Sequence, residues 1–270
     1  MKIIISHDVD VLYVKEHIFR DLRIEKMMVK SVLRFLSRKI PFKVFVNRYK
    51  MIFGGRMHRL DEVMEYDRKH SIPSTFFFGM NQGLGMSYFK SEAAPEIERV
   101  IQNGFDVGVH GIDFENQEII SSEHDSFENI TGMTSFGIRN HYVRFNDDTF
   151  TMMNKAGYLF DSTYFNKMNV EIRAPFKVGN MWEIPLFIMD GYVITEGKLS
   201  ESIEKTKQVI RRAEESDMPY CTILFHDQYF DENCYPVWKE WYCNTVEYCE
   251  KQGYEFISFR DAVKELENER

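Results

Sequence analysis

The chain has few cysteines for its 270 residues, and none of the four (Cys221, Cys234, Cys243 and Cys249) forms a C-x-x-C pair. A zinc knuckle is therefore not expected. A chain of this size also needs no disulfide framework, so these read as packed thiols. No uninterrupted apolar run is long enough to cross a membrane. Positive charge is not in excess: the net charge is −8, which argues against general nucleic-acid binding. The first strand starts at residue 2, so no signal peptide and a cytoplasmic location are expected. There is no internal repeat, low-complexity segment or clear linker, and a single domain over 1–270 is expected.

What is present is an alternation of strand and helix signals. Residues 2–6 read as a buried strand. A long helical stretch, 14–59, carries thirteen basic residues, among them Arg20, Arg23, Lys26, Lys30, Arg34 and Arg59, against Glu16, Asp21 and Glu25. A solvated helix face is the commoner meaning of such a run. The sharper one is a positive rim for an anionic substrate or a membrane surface. Further strands are expected at 74–79, 105–109, 136–139, 158–160, 182–185, 221–225 and 255–259. Helices are expected at 60–70, 94–103, 149–156, 200–216, 238–252 and from 261 onward. Strand-then-helix units around one core argue for a parallel, barrel-like α/β fold.

Polar residues recur just after the strands. Asp8 and Asp10 are two apart at the end of the first, so both carboxylates point to one side. His110, Arg139 with His141, Asp161 and His226 each follow a later strand. Strand C-termini of one parallel sheet share a face, where active sites form. Singly, each has a plain structural reading as a turn, a cap or an ion pair. Together they make a candidate metal hydrolase site.

On these residues the chain resembles the polysaccharide deacetylases, a carbohydrate esterase family, over nearly its whole length. Ser6-His7-Asp8-Val9-Asp10 is similar to the first family motif, Gly104 to Gly111 to the second, Arg139-Asn140-His141-Tyr142 to the third, Asp161-Ser162 to the fourth and Leu224-Phe225-His226 to the fifth. The resemblance implies a distorted (β/α)-barrel of about seven parallel strands and hydrolysis of an acyl group with a divalent metal, zinc being the ion expected. It implies Asp8 as catalytic base, Asp10 and His110 as metal ligands, and Arg139 as the residue orienting the base. It implies the Tyr142 N–H as oxyanion donor, His226 as general acid and Asp161 as its support. The family's second motif carries another histidine four residues after His110, where this chain has Phe114. Asp113, at i+3, could reach the same helical face. His141, in place of a proline, could supply the imidazole. Either leaves a three-ligand site.

The substrate expected is an acylated amino sugar, nucleotide-borne or lipid-linked, for a surface polysaccharide such as O-antigen or capsule. Peripheral contact with the inner membrane face would suit the lipid-linked form. Trp182, Trp238 and Trp241 could stack on sugar rings. Two alternatives stand beside this reading: a decayed scaffold that binds a sugar or partner without chemistry, for which Phe114 speaks, and an amidohydrolase acting on a non-sugar amide.

Overall fold

The structure is a computed structural model that describes residues 1–18, 21–168 and 170–268. Arg20, part of the basic stretch, lies outside the described residues. Strand β1 (Lys2–Val9) is central and buried along nearly its whole length. Its apolar run Ile3–Ile5, with no polar residue between, fits a strand covered on both faces. It pairs in parallel with β2 (Thr75–Phe78) and with β9 (Tyr220–Leu224). The sheet continues from β2 through β3 (Asp106–Gly111), β4 (Gly137–Asn140), β5 (Phe160–Asp161) and β7 (Met181–Glu183) to β6 (Phe176–Val178). Beyond β9 it ends at β8 (Ile188–Met189), and β10 (Glu255–Phe256) pairs with the start of β1. Of the pairings between these strands among the described residues, only β6–β7 is antiparallel. The result is a parallel sheet curled into a half-barrel and surrounded by helices. It has more strands than the seven or so expected: β6, antiparallel to β7, and the two-residue β8 fall where no strand was expected.

Side chains alternate across the sheet. Odd positions of β1, Ile3, Ile5 and Val9, pack outward under the helices with Phe76, Val107 and Val109. Ile4 joins Phe77, Phe160 and Phe259 in the inner cluster. Gly108 and Gly137 leave room for those rings: a Cβ at Gly108 would sit 2.8 Å from Phe77, and one at Gly137 would sit 2.2 Å from Phe160. Going up the inner face of β1, Ile4 gives way to Ser6 and then Asp8. His7 points the other way, between Asp67 (2.9 Å) and the Phe225 carbonyl (2.9 Å), and is structural.

Helices α3 (Leu60–Lys69), α4 (Lys90–Gln102), α5 (Gln117–Thr131) and α6 (Thr149–Ala156) follow in order. After them come α7 (Asp190–Val193), α8 (Leu199–Glu215), α9 (Pro236–Gln252) and α10 (Phe259–Asn268). Between β1 and α3 the chain forms a helical hairpin, α1 (Arg23–Leu36) and α2 (Phe42–Gly54). Among the described residues no helix is long and apolar enough to cross a membrane.

Candidate metal and hydrolytic site

Three buried side chains meet at the sheet's C-terminal mouth: Asp10, His110 and His141. Asp10 leaves the end of β1, and His110 sits on β3 directly beside Arg139 of β4. His141 is the first residue after β4. The His110 Nε2 and His141 Nδ1 atoms are 2.9 Å apart, and each is 3.3 Å from Asp10 Oδ1. The far nitrogens decide the tautomers. His110 Nδ1 lies 2.9 Å from the Arg139 carbonyl, and His141 Nε2 lies 3.3 Å from the Leu84 carbonyl. A carbonyl accepts only, so both far nitrogens carry the protons. Two imidazole lone pairs and a carboxylate oxygen therefore converge with no proton left among them. Asp10 Oδ1 is buried without a hydrogen-bond partner. Such a set repels itself unless a cation sits in it, and it fits a divalent metal; the carbonyl partners are the usual second shell of ligating histidines.

His141 thus stands where the missing imidazole is needed, and Asp113 does not. The helical spacing expected after His110 is not formed: β3 runs to Gly111 and α5 begins only at Gln117. In the turn between them, Asp113 Oδ1 accepts the backbone N–H groups of Glu115 and Asn116, each at 2.8 Å. Phe114 lies under the Arg144 guanidinium, 4.8 Å from its ring centre.

Beside the cluster is a second carboxylate. Asp8 Oδ1 accepts from Arg139 Nη1 at 3.0 Å, and its Oδ2 is 3.7 Å from His110 Nε2. Arg139 is wholly buried. It also donates to Ser6 Oγ and to the Ser162 carbonyl and hydroxyl, and its guanidinium stacks on Phe77 at 4.6 Å. Five anchored contacts leave it one position, so Asp8 has one as well.

His226 follows β9 and faces the cluster, with Nε2 3.8 Å from Asp10 Oδ2. Its Nδ1–H donates to Asp190 Oδ1 at 2.8 Å, and its backbone N–H to Asp190 Oδ2 at 2.8 Å. Burial works against the imidazolium, yet Asp190, with Asp10 and Asp8, pushes the pKa up to about 10. This corrects the expected partner. Asp161 contacts Thr163 (2.5 Å) and its neighbour across β5–β7, Glu183, rather than His226. Burial raises both carboxyls, with Glu183 well above the usual range as the protonated member. Five strand steps separate β5 from β9, whereas β8, which leads into Asp190, is next to β9. The apolar run Leu-Phe-Ile-Met before Asp190 was a strand-then-acid signal of the kind that marked the other positions.

Tyr142 and Val143 follow with φ of +60° and +45°. Two successive left-handed residues, one β-branched, mark a strained turn of the kind found at functional sites. The Tyr142 ring is 57% exposed, and its hydroxyl donates to the Leu84 carbonyl at 3.2 Å.

These groups line the floor of a cleft of about 790 Å³. The hairpin forms one wall. Arg23, Lys26, Lys30 and Arg34, one side of α1, line the cleft together with Arg48 of α2. The basic stretch is therefore more than a solvated face. Of the tryptophans only Trp238 lines the cleft; Trp182 and Trp241 are core.

No protein-family model matches the sequence, and no curated protein matches it. Solved structures do. A candidate polysaccharide deacetylase from Mycobacterium smegmatis superposes with a TM-score of 0.65 at 13% identity, over 99% of this chain and 90% of that one. The fold is that of the polysaccharide deacetylases. PuuE allantoinase shares it at a TM-score of 0.58 and 17% identity, over 77% of this chain and 71% of its own. So does a CE4 family pseudoenzyme from Bacillus anthracis, at 0.53 and 10% identity, over 97% and 65%. The fold is thus shared by a candidate polysaccharide deacetylase, an allantoinase and a pseudoenzyme, and chemistry has to be argued from this chain's own site.

Proposed function

We propose that the protein removes the N-acyl group of an amino sugar, in a cytoplasmic precursor of a surface polysaccharide such as O-antigen or capsule. The observation that carries this reading is the convergence of three acceptor atoms beside a fixed carboxylate and a carboxylate-backed imidazole. Two nitrogens and one oxygen suit zinc. A cation held by Asp10, His110 and His141 would polarise the acyl carbonyl and acidify a water beside it. Asp8, which Arg139 holds in place, takes the proton as water adds to the carbonyl carbon. The backbone N–H of Tyr142 is the candidate donor to the oxyanion, a contact typically worth ~2.7–4 kcal/mol. His226, charged and oriented by Asp190, gives its proton to the nitrogen as the C–N bond breaks, so the sugar leaves as a neutral amine. Asp161 serves the scaffold below Arg139.

The test is turnover of N-acetylated amino sugars by zinc-loaded protein and by Asp8→Asn. The expected result is a loss of at least ~10³-fold in kcat with metal content unchanged. Full activity in the variant would remove Asp8 as base. Phe114 keeps a second reading in view, that of a sugar-binding protein without chemistry: metal bound with no turnover of any acylated amino sugar would favour it. A cleft of about 790 Å³ takes a pyranose with room to spare, which speaks for a sugar over a small non-sugar amide.

A further inference from the structure

Helix α1 turns one basic side to the cleft. Arg23, Lys26, Lys30 and Arg34 fall at helical spacing and all line it. Among the described residues no carboxylate lies within ion-pair distance of Arg23, Lys26 or Lys30. Arg23 instead donates to the Gly85 carbonyl and to Gln228 Oε1, at 3.3 and 3.1 Å, which fixes its guanidinium at the cleft wall. Lys26 Nζ reaches only the Asp21 carbonyl, at 3.3 Å. Arg34 and the buried Arg48 share a single carboxylate, Glu196, at 2.9 and 3.6 Å. Asp21 also lines the cleft, but its carboxylate is taken by His17, Ser87 and the Arg23 N–H. The wall therefore carries a surplus of positive charge facing the metal cluster, in a chain whose net charge is −8.

Resting on the deacylase reading, we propose that this wall is a subsite for a phosphate or diphosphate group carried by the sugar, which it binds while the acyl group lies at Asp8 and His226. The probe is inorganic pyrophosphate, titrated calorimetrically into metal-free full-length protein. Wild type should bind it with an affinity that falls as salt rises. Lys26→Ala/Lys30→Ala should bind at least about tenfold more weakly, while Lys43→Ala/Lys50→Ala, which removes equal charge outside the cleft, should bind as wild type does. Equal binding by all three proteins, or equal loss in both variants, would overturn the subsite. Pyrophosphate binding needs no chemistry, and turnover of uncharged acyl sugars needs no subsite, so the two readings fail separately.

The outer side of the same hairpin carries a second inference. Val29, Leu33 and Leu36 are 60, 60 and 70% exposed, and Phe42 and Phe53 of α2 are 63 and 90% exposed. An outward helix face is ordinarily polar, and an apolar one implies a covering partner. Arg38, Lys39, Lys43 and Lys50 of the same hairpin are exposed as well. Residues 21–54 hold nine Lys and Arg against two acids. Exposed apolar side chains and cations on one hairpin suit one occupant, and we propose that the hairpin rests on a bilayer containing anionic lipid. Wild type should sediment with phosphatidylcholine–phosphatidylglycerol vesicles and much less with phosphatidylcholine alone, and Leu33→Glu/Leu36→Glu should lose the binding at least about tenfold. That result would make the phosphate at the subsite lipid-borne. No sedimentation, or a vesicle-free dimer abolished by the same variant, would overturn the membrane assignment and leave a soluble phosphorylated sugar as the subsite's ligand.

Discussion

The sheet mouth and the α1–α2 hairpin border the same cleft, yet they are built by opposite rules. At the mouth, Asp8, His110, Arg139 and Asp190 are buried and each is held by hydrogen bonds of defined geometry. In the hairpin, Lys26 and Lys30 are exposed and short of partners, and the outward face is apolar. On the proposed reading the mouth is the pre-organised part, where a small displacement would cost rate, and the hairpin the capturing part, where charge and exposed apolar area would act over a distance and tolerate loose geometry. Substitutions at the mouth should therefore give all-or-none effects, and those in the hairpin graded, salt-dependent ones.

The largest effect is expected at the metal cluster. His141→Phe should lower zinc affinity by about 10²-fold or more, read by metal analysis after dialysis, whereas Asp113→Ala should retain the metal. Loss of metal in Asp113→Ala with retention in His141→Phe would mean that the turn at 113–116 rearranges, and that the mouth is less rigid than its contacts imply.

Next comes the support of His226. Asp190→Asn keeps an oxygen for the Nδ1–H but removes the charge. It should lower the imidazole's titration midpoint by NMR and reduce kcat by about 10²-fold. Asp161→Asn should leave that titration unchanged, because Asp161 meets Thr163 and Glu183 instead. A shift in Asp161→Asn equal to that in Asp190→Asn would restore the partner suggested by family resemblance.

These contrasts show what could be read without coordinates. Asp8, Asp10, His110, Arg139 and His226 were legible because each lies within two residues of the end of a strand of at least four residues, long enough to leave an apolar signature before the polar residue. His141 was legible as one of two substitutes for the missing histidine. Choosing between it and Asp113 required knowing that the chain leaves β3 as a turn rather than a helix. Asp190 was missed although the apolar run 186–189 precedes it, because that run, directly after the expected strand at 182–185, was not read as a strand of its own. Pairing Asp161 with His226 failed because order along the chain is not order across a sheet. The hairpin's positive charge was plain as composition, but nothing in the sequence says which side of α1 meets the cleft.

The smallest effect sharpens the comparison through stability. Glu123 of α5 is buried behind the turn after His110, with Oε1 accepting the Ile112 N–H at 3.0 Å and Oε2 without a partner. Burial, with a smaller contribution from Asp113, pushes its pKa from 4.5 up to about 8. Between those two values the folded protein holds a proton that the unfolded chain has lost. Stability should therefore fall as pH rises through this window, by on the order of 3–5 kcal/mol in total. Glu123→Gln keeps an acceptor for Ile112 and cannot ionise, so its denaturation midpoint should change less from pH 6 to pH 9 than that of wild type. The difference expected over that interval is about 2–3 kcal/mol. Lys26→Ala/Lys30→Ala, in the solvated hairpin, should follow the wild-type profile. If Glu123→Gln runs parallel to wild type instead, the carboxyl is reached by water in solution, and the sheet mouth is looser at its rim than its buried contacts indicate.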